Sequence, residues 1–394
     1  MKIAIVGCGI GGLASAIMLQ EQGHELTVFD QFETSAPVGS GLVIQPVGQR
    51  VLSSLGVLHH AIDAGAKIFH MLGHETKRNR AVLNVAYGAK GGADFGLAIH
   101  RAALFDILWK RANAIGVAIA NGHKAIHSTA SDIGRMVTFE HGTTVGPFDL
   151  VIDAAGANSP LSPLVARDLS YGAIWGTVDW PNGTSLAQDE LRQKYHRAKN
   201  MIGILPLGTM PNDNTPKAAL FWSLPRNGYN TWKQNLLSQW QNDAIALWPE
   251  IEPFVSQIKS HDDMTMAKYS HGTLRRPYSD RLVHVGDATH RASPQLGQGA
   301  NMALLDAYAM AESLRTKPSN ALENYARARK WHAGIYQAMS WAFTPMYQSD
   351  SRLLPILRDY LLAPASVVPP VPQILTKLVC GSLVNPARGV APLD

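Results

Sequence analysis

The stretch that decides the fold is Lys2-Ile3-Ala4-Ile5-Val6-Gly7-Cys8-Gly9-Ile10-Gly11-Gly12-Leu13, answered a little later by Leu26-Thr27-Val28-Phe29-Asp30. Ile3 to Val6 is an unbroken apolar run, the pattern of a strand buried on both faces. After the glycines, Leu13, Ala16, Ile17 and Gln20 recur on one helical face until Gly23 stops the helix. Leu26 to Phe29 then reads as a second strand, completing a right-handed strand-helix-strand unit. The glycines serve different ends. Gly7 permits the tight turn, Gly9 lets a pyrophosphate approach the backbone, and Gly12, beside Gly11, lets the helix pack on the sheet. The helix N-terminus offers unpaired N–H groups and a partial positive charge to phosphates. Asp30 stands near the spacing expected of a carboxylate that binds a ribose. This is a dinucleotide-binding pattern of Rossmann type, and it does not separate FAD from NAD.

The same run has the outline of a secretory signal, with Lys2 ahead of an apolar stretch to Leu19 that contains Ala14-Ser15-Ala16. Four glycines would make a poor hydrophobic helix, so the strand and turn are preferred. No other stretch reaches membrane-spanning length without charges or prolines, so no integral membrane segment is expected. With 394 residues, 46% hydrophobic and 16% charged, the chain can bury one large core or two joined ones. The net charge of +5 is not gathered into Lys/Arg blocks, so no nucleic-acid partner is expected. Cys8 and Cys380 lack neighbours at ligand spacing, and His59, His60, His70, His271 and His290 show no metal-ligand pattern. No metal is expected, and a reducing, cytoplasmic setting fits.

Beyond the opening unit the pattern alternates. Strand-like runs such as Ile174 to Val178 and Met201 to Leu205 punctuate residues 171–270, and similar runs fill 68–99. Ala102 to Ala112 looks helical, Leu150-Val151-Ile152 and Leu282-Val283-His284-Val285 look like buried strands, and a long helix starts near Asn301. The expected organisation is α/β: one discontinuous domain from 1–67, 100–170 and 271–345, a sheet domain from 68–99 and 171–270 inserted into it, and a helical tail, 346–394, broken by prolines.

The second constellation is Gly286-Asp287-Ala288-Thr289-His290-Arg291-Ala292-Ser293-Pro294-Gln295-Leu296-Gly297-Gln298-Gly299-Ala300-Asn301, with Asp306-Ala307 following. An acid after a buried strand suits sugar hydroxyls. A Gly-Gln-Gly turn opening a helix aims N–H groups and the helix dipole at whatever lies before it. Together with the first constellation and His100-Arg101-Ala102-Ala103-Leu104, this sequence resembles the aromatic-hydroxylase family of single-component flavoprotein monooxygenases, the para-hydroxybenzoate hydroxylase type. The resemblance covers most of residues 1–345. It implies FAD as cofactor, with Asp287 on the ribityl chain, Pro294 bordering the flavin ring, Gly297, Gly299, Ala300 and Asn301 contacting it, and Arg101 reaching it from the return point of the inserted domain. It implies that reduced FAD meets O2, forms a flavin hydroperoxide and passes one oxygen atom to a small aromatic or apolar substrate, with NADH or NADPH as reductant. Other FAD enzymes on the same fold, such as dehydrogenases or reductases, are the alternative, together with a flavin-bound docking protein of little turnover.

The match has one gap. In Asp149-Leu150-Val151-Ile152-Asp153-Ala154-Ala155-Gly156, Ala155 stands where the family carries an aspartate tied to FAD and NAD(P)H, and Asp153, two residues away, is the candidate replacement. Trp175, Trp180, Phe221 and Trp222 either line a substrate pocket or fill a core. Trp331, Ile335, Trp341 and Phe343 read as core. The apolar runs Leu353 to Leu357, Tyr360 to Leu362, Ile374-Leu375 and Leu378-Val379 are expected to pack on the enzyme's body, with peripheral docking on a membrane or partner as the other use. Monomer and dimer are both compatible with the sequence.

Overall fold

Lys2–Val6 (β1), Ile10–Glu21 (α1) and Glu25–Phe29 (β2) form the expected strand-helix-strand unit in the computed structural model, which describes residues 1–33, 40–88 and 94–393. β1 lies parallel to β2 on one side and to Leu150–Asp153 on the other. Ala118–Ala120 extends the sheet beyond β2, Leu282–His284 extends it beyond Leu150–Asp153, and the antiparallel Tyr278–Ser279 closes that edge. The strand order therefore reverses between β1 and Leu150–Asp153. Val6 is in register with Phe29 and Asp153, and Asp153 with His284, so Gly7, Asp30, Ala154 and Val285 follow on one carboxyl edge, where such sheets bind ligands.

α1 departs from the one-faced helix expected of it: Gly11 through Leu19 are all buried. The reason is packing on several sides, since α1 lies between the sheet, the helix Arg101–Ala114 and the helix Gly299–Thr316.

The second sheet has eight strands, in the order His290–Arg291, Thr265–Thr273, Arg167–Asp179, Asp213–Pro225, Asn200–Met210, Glu190–His196, His70–Glu75 and Ala81–Ala86. Trp175 pairs with Phe221 and Ile174 with Trp222. Strand alternation thus sends Trp175 and Phe221 to one face, and Ile174 and Trp222 to the other, into a core with Trp232, Trp240 and Phe254. A small sheet of Gly41–Ile44, Gly96–His100 and Ala66–Ile68 joins the two layers. Residues 89–93 lie outside the described residues.

The helix Ala321–Tyr347 corrects another expectation. Trp331 and Trp341, read as core, are 59% and 66% exposed. The buried stripe is instead Tyr325, Ala328, Arg329, His332, Tyr336, Ser340 and Thr344, because the helix is held by polar contacts. Tyr325 Oη donates to the His284 carbonyl at 2.9 Å, and Tyr336 Oη to the Leu378 carbonyl at 2.9 Å. The tail breaks into short helices, the last being Val371–Cys380, whose Val379 and Cys380 pack against Val43, Tyr87 and Leu207. Among the described residues no helix is long and apolar enough to cross a membrane.

Candidate active site

The first glycine turn is built as its residue types require. Gly7 has φ +103°, and a Cβ there would lie 2.5 Å from the Ala154 carbonyl oxygen; a Cβ on Gly12 would lie 1.9 Å from the Gly7 oxygen. A Cβ on Gly9 would meet nothing within 4 Å, so the turn is closed toward the protein and open on the side where a phosphate would sit. Asp30 is buried and braces the turn: its Oδ2 accepts from the Cys8 N–H at 2.8 Å, its Oδ1 from the Phe32 N–H at 3.0 Å.

Distant motifs meet here. Added Cβ atoms on Gly11 and on Gly286 would both touch Ala303 Cβ, at 3.3 and 3.1 Å, so one helix residue seats both glycine signatures. The Gly286 N–H donates to Asp306 Oδ2 at 2.8 Å, and His290 Nε2 donates to the same oxygen at 2.7 Å. Arg329 Nε donates to Asp306 Oδ1 at 2.7 Å. Burial raises the Asp306 pKa, but His290 and Arg329 outweigh it and hold the carboxyl down at about 2. Arg329 Nη1 can only donate, so His332 Nδ1 accepts at 3.3 Å and Nε2 donates to the Gly381 carbonyl at 2.9 Å. Burial and Arg329 push the His332 pKa down to about 3.

Beside this scaffold lies a cavity of about 1140 Å³, too large for one small ligand. Arg101, Asp287, Pro294, Gly297, Gly299 and Ala300 line its first part. Asp287 opens onto the cavity; its enclosed position raises its pKa, while His290, Arg101 and Arg291 pull it down. Arg101 faces the complementary balance: enclosure lowers its pKa, and Asp287 and Tyr269 oppose that. Gly297 has φ +60°, and the helix Gly299–Thr316 begins directly after it, with its N-terminus at the cavity wall. Asn301 is fully buried and does not line the cavity: its Oδ1 accepts from the Gln45 N–H at 2.8 Å, and its Nδ2 donates to the carbonyls of Val43 at 3.0 Å and Gly297 at 2.9 Å.

The second part of the cavity is apolar. Trp175 and Phe221 stack at 4.4 Å, with Met71, Leu191 and Leu205 around them, while Leu375 and Val379 come from the tail. Trp180 packs instead on Phe254, so the four aromatics divide between pocket and core. Two polar residues here were not legible in the sequence. Tyr269 Oη accepts from Trp175 Nε1 at 2.9 Å, and burial pushes its phenol pKa upward. Gln45 is fully buried beside Gly297, close to the Tyr87 phenol, with neither carboxamide atom in sound hydrogen-bond geometry. Tyr269 reaches the cavity from the strand Thr265–Thr273 and Gln45 from the cap of the helix Pro46–Ser54, neither of which leaves a local motif.

Asp153 does not stand in for the missing aspartate. It is fully buried, its Oδ1 accepts from Ser159 Oγ at 2.7 Å and the Ala155 N–H at 3.1 Å, and its Oδ2 from His284 Nδ1 at 2.7 Å. Its carboxylate braces the sheet edge, and Ala155 packs against a neighbouring apolar cluster.

A glycine cradle at a sheet switch point, with a large cavity beside it that ends in an aromatic wall, defines the class as a dinucleotide-binding α/β protein. The family model described as FAD binding domain matches residues 1–336, and the chain belongs to that family. It is 27% identical to "Monooxygenase 1" of Arabidopsis thaliana, over 80% of this chain and 79% of that protein, and 24% identical to 3-hydroxybenzoate 6-hydroxylase of Klebsiella oxytoca, over 83% of each. The structure of 2-methyl-3-hydroxypyridine-5-carboxylic acid oxygenase superposes with a TM-score of 0.79 at 20% identity, covering 100% of this chain and 99% of that one. The protein is an FAD-dependent oxidoreductase of the monooxygenase type.

Proposed function

We propose that the chain hydroxylates a small aromatic substrate, using FAD, O2 and a reduced nicotinamide. The observation that carries this reading is the continuity of the cavity from Arg101 and Asp287 to the Trp175 and Phe221 wall. In this reading Gly7, Gly9, Gly11, Gly12 and Asp30 hold the pyrophosphate and adenosine ribose. Arg101 and Asp287 hold the sugar-phosphate chain, and Pro294, Gly297, Gly299 and Ala300 border the ring, while Asn301 braces the turn behind them through Gln45, Val43 and Gly297. The open face of Gly9 and the polar carboxamide of Gln45 at the cavity wall suit a dinucleotide cofactor. When bound, FAD supplies electron storage and oxygen activation.

The chain's own residues do the rest. The N-terminus of Gly299–Thr316 stabilises negative charge in front of it. Trp175 and Phe221 orient a flat apolar substrate, and Leu375 and Val379 keep that end dry. Burial keeps Tyr269 protonated at neutral pH, and since Trp175 already donates to its oxygen, its O–H is left to donate to an oxygen on the substrate. Two buried thiols fit a reducing, cytoplasmic setting; burial holds the Cys380 thiol protonated, with its pKa pushed up to about 12.

The test is anaerobic stopped-flow reduction of the FAD-loaded protein by NADH or NADPH, with and without a panel of small aromatic compounds, followed by oxygen uptake. Bleaching accelerated by one compound, then uptake of one O2 per product, is the expected result. Turnover without oxygen uptake would remove the hydroxylase reading. Slow bleaching with both nucleotides would remove the nicotinamide as reductant and favour Ala155 as the mark of a lost coupling, with electrons delivered by another route.

A further inference from the structure

Eight of the seventeen exposed large hydrophobic side chains among the described residues fall between Leu353 and Ile374: Leu353, Ile356, Leu357, Tyr360, Leu361, Val367, Val368 and Ile374. Leu353 is 76% exposed, Val367 64% and Leu361 59%. From Leu353 to Thr376 the sequence holds two charged residues, Arg358 and Asp359, and both are buried, paired Nε to Oδ1 at 2.6 Å. Arg358 is held further by the Arg197 and Met346 carbonyls, at 3.2 and 3.1 Å. The segment therefore shows solvent no charge at all, which single scattered surface apolar residues do not explain.

The border of this patch along the 77–80 hairpin is mainly cationic, although Asp350 is exposed at the segment's other end. Arg78 Nη1 donates to Tyr360 Oη at 3.2 Å, and the Arg80 guanidinium lies 4.2 Å from the Tyr360 ring centroid. Lys194 Nζ donates to Asn79 in the same hairpin at 2.6 Å, and Lys77 and Arg197 are exposed beside them. The hairpin's acid, Glu75, is occupied by the backbone N–H groups of Lys77 and Arg78, at 2.8 and 2.9 Å. The inner side of the same tail segment faces the cavity through Leu362, Ala363, Ala365, Val371 and Leu375.

We propose that this tail face docks on an anionic lipid bilayer, seated at headgroup depth by its apolar side chains, ringed by Lys77, Arg78, Arg80, Lys194 and Arg197, and so gives an apolar substrate a route from lipid into the cavity. An apolar face with a cationic border and a tyrosine at the boundary is the composition of a surface that lies in a membrane interface. A second copy of the chain fits less well, because a two-fold axis through the patch would set one cationic border against another. The docking concerns the outer face and holds whether or not the cavity performs a hydroxylation; the substrate route rests on the function proposed above.

The experiment is co-sedimentation of the FAD-loaded full-length protein with phosphatidylcholine vesicles, with and without phosphatidylglycerol, at low and high salt. Wild type should pellet with the anionic vesicles, less so at high salt or with phosphatidylcholine alone. Leu353→Glu/Leu361→Glu should lower the bound-to-free ratio by about tenfold or more, with flavin absorbance and melting temperature unchanged. Should that variant fail to hold flavin, Val367→Glu/Val368→Glu carries the same test at a second place on the face, again on side chains that do not line the cavity. Wild type remaining in the supernatant with anionic vesicles overturns the proposal. So does sedimentation velocity without vesicles that shows a dimer split into monomers by Leu353→Glu/Leu361→Glu, which would make the face an interface between copies.

Discussion

Gly9 and Gly12 belong to one motif but answer to different constraints, and alanine separates them. Gly9→Ala meets open space, so the apoprotein should melt within about 1 kcal/mol of wild type while FAD binds more weakly. Gly12→Ala drives a methyl into the Gly7 carbonyl and should cost about 3 kcal/mol or more, read by thermal melting of the apoprotein. His332 sets a pH dependence of its own. Its pKa is about 3 in the fold against 6.5 for an ordinary histidine, so between those values the unfolded chain takes up a proton that the fold refuses. Stability should fall as pH drops through that window, by at most about 1.4 kcal/mol per pH unit, and Asp306 adds a further loss only below its ordinary 3.8. Melting curves of His332→Gln across acid pH should be flatter than those of wild type. What could be read in advance at this scale was the position of residues whose pattern is local: the glycines and Asp30 at the first turn and Asp287 at the cavity wall. Gln45, Tyr269 and the bracing role of Asp153 were not, because each depends on which distant segment lies alongside, Asn301 for Gln45, Trp175 for Tyr269 and His284 for Asp153.

Two helices carry the second half of the site, and the Asp306 to Arg329 contact joins them. Replacing Arg329 with Met would leave Asp306 buried with His290 as its remaining side-chain donor. Such a loss costs about 3–5 kcal/mol, checked by urea unfolding, and FAD affinity should fall with it because Asp306 also holds the Gly286 N–H. The parallel strands were legible as elements, since burial on both faces writes a continuous apolar run such as Ile3 to Val6. The helix Ala321–Tyr347 was placed but not oriented. Its apolar residues suggested an inward Trp331 and Trp341, yet the inward side is occupied by Tyr325, Arg329, His332 and Tyr336, whose partners come from the sheet edge and the tail.

At the scale of the whole chain, the cavity is walled by segments from end to end of the sequence. Leu375, on the tail, faces the aromatic wall across it, so Leu375→Trp should narrow the apolar end. The expected result is a larger drop in kcat/KM for bulky aromatic substrates than for small ones, with anaerobic flavin reduction in the absence of substrate unchanged. The two-layer plan followed from the switch between buried runs and short alternating strands, whereas the route by which the tail returns to the cavity has no period to announce it. That return has a consequence for how the protein is made. Gly7 and Asp30 leave the ribosome early, but the Gln298 carboxamide is not paired with the Val379 carbonyl, nor Ala328 with Arg388, until translation has passed the tail. The glycine cradle can form on the nascent chain while the cavity beside it has no finished wall, so a stalled ribosome would present a half-built site with its apolar interior open to chaperones.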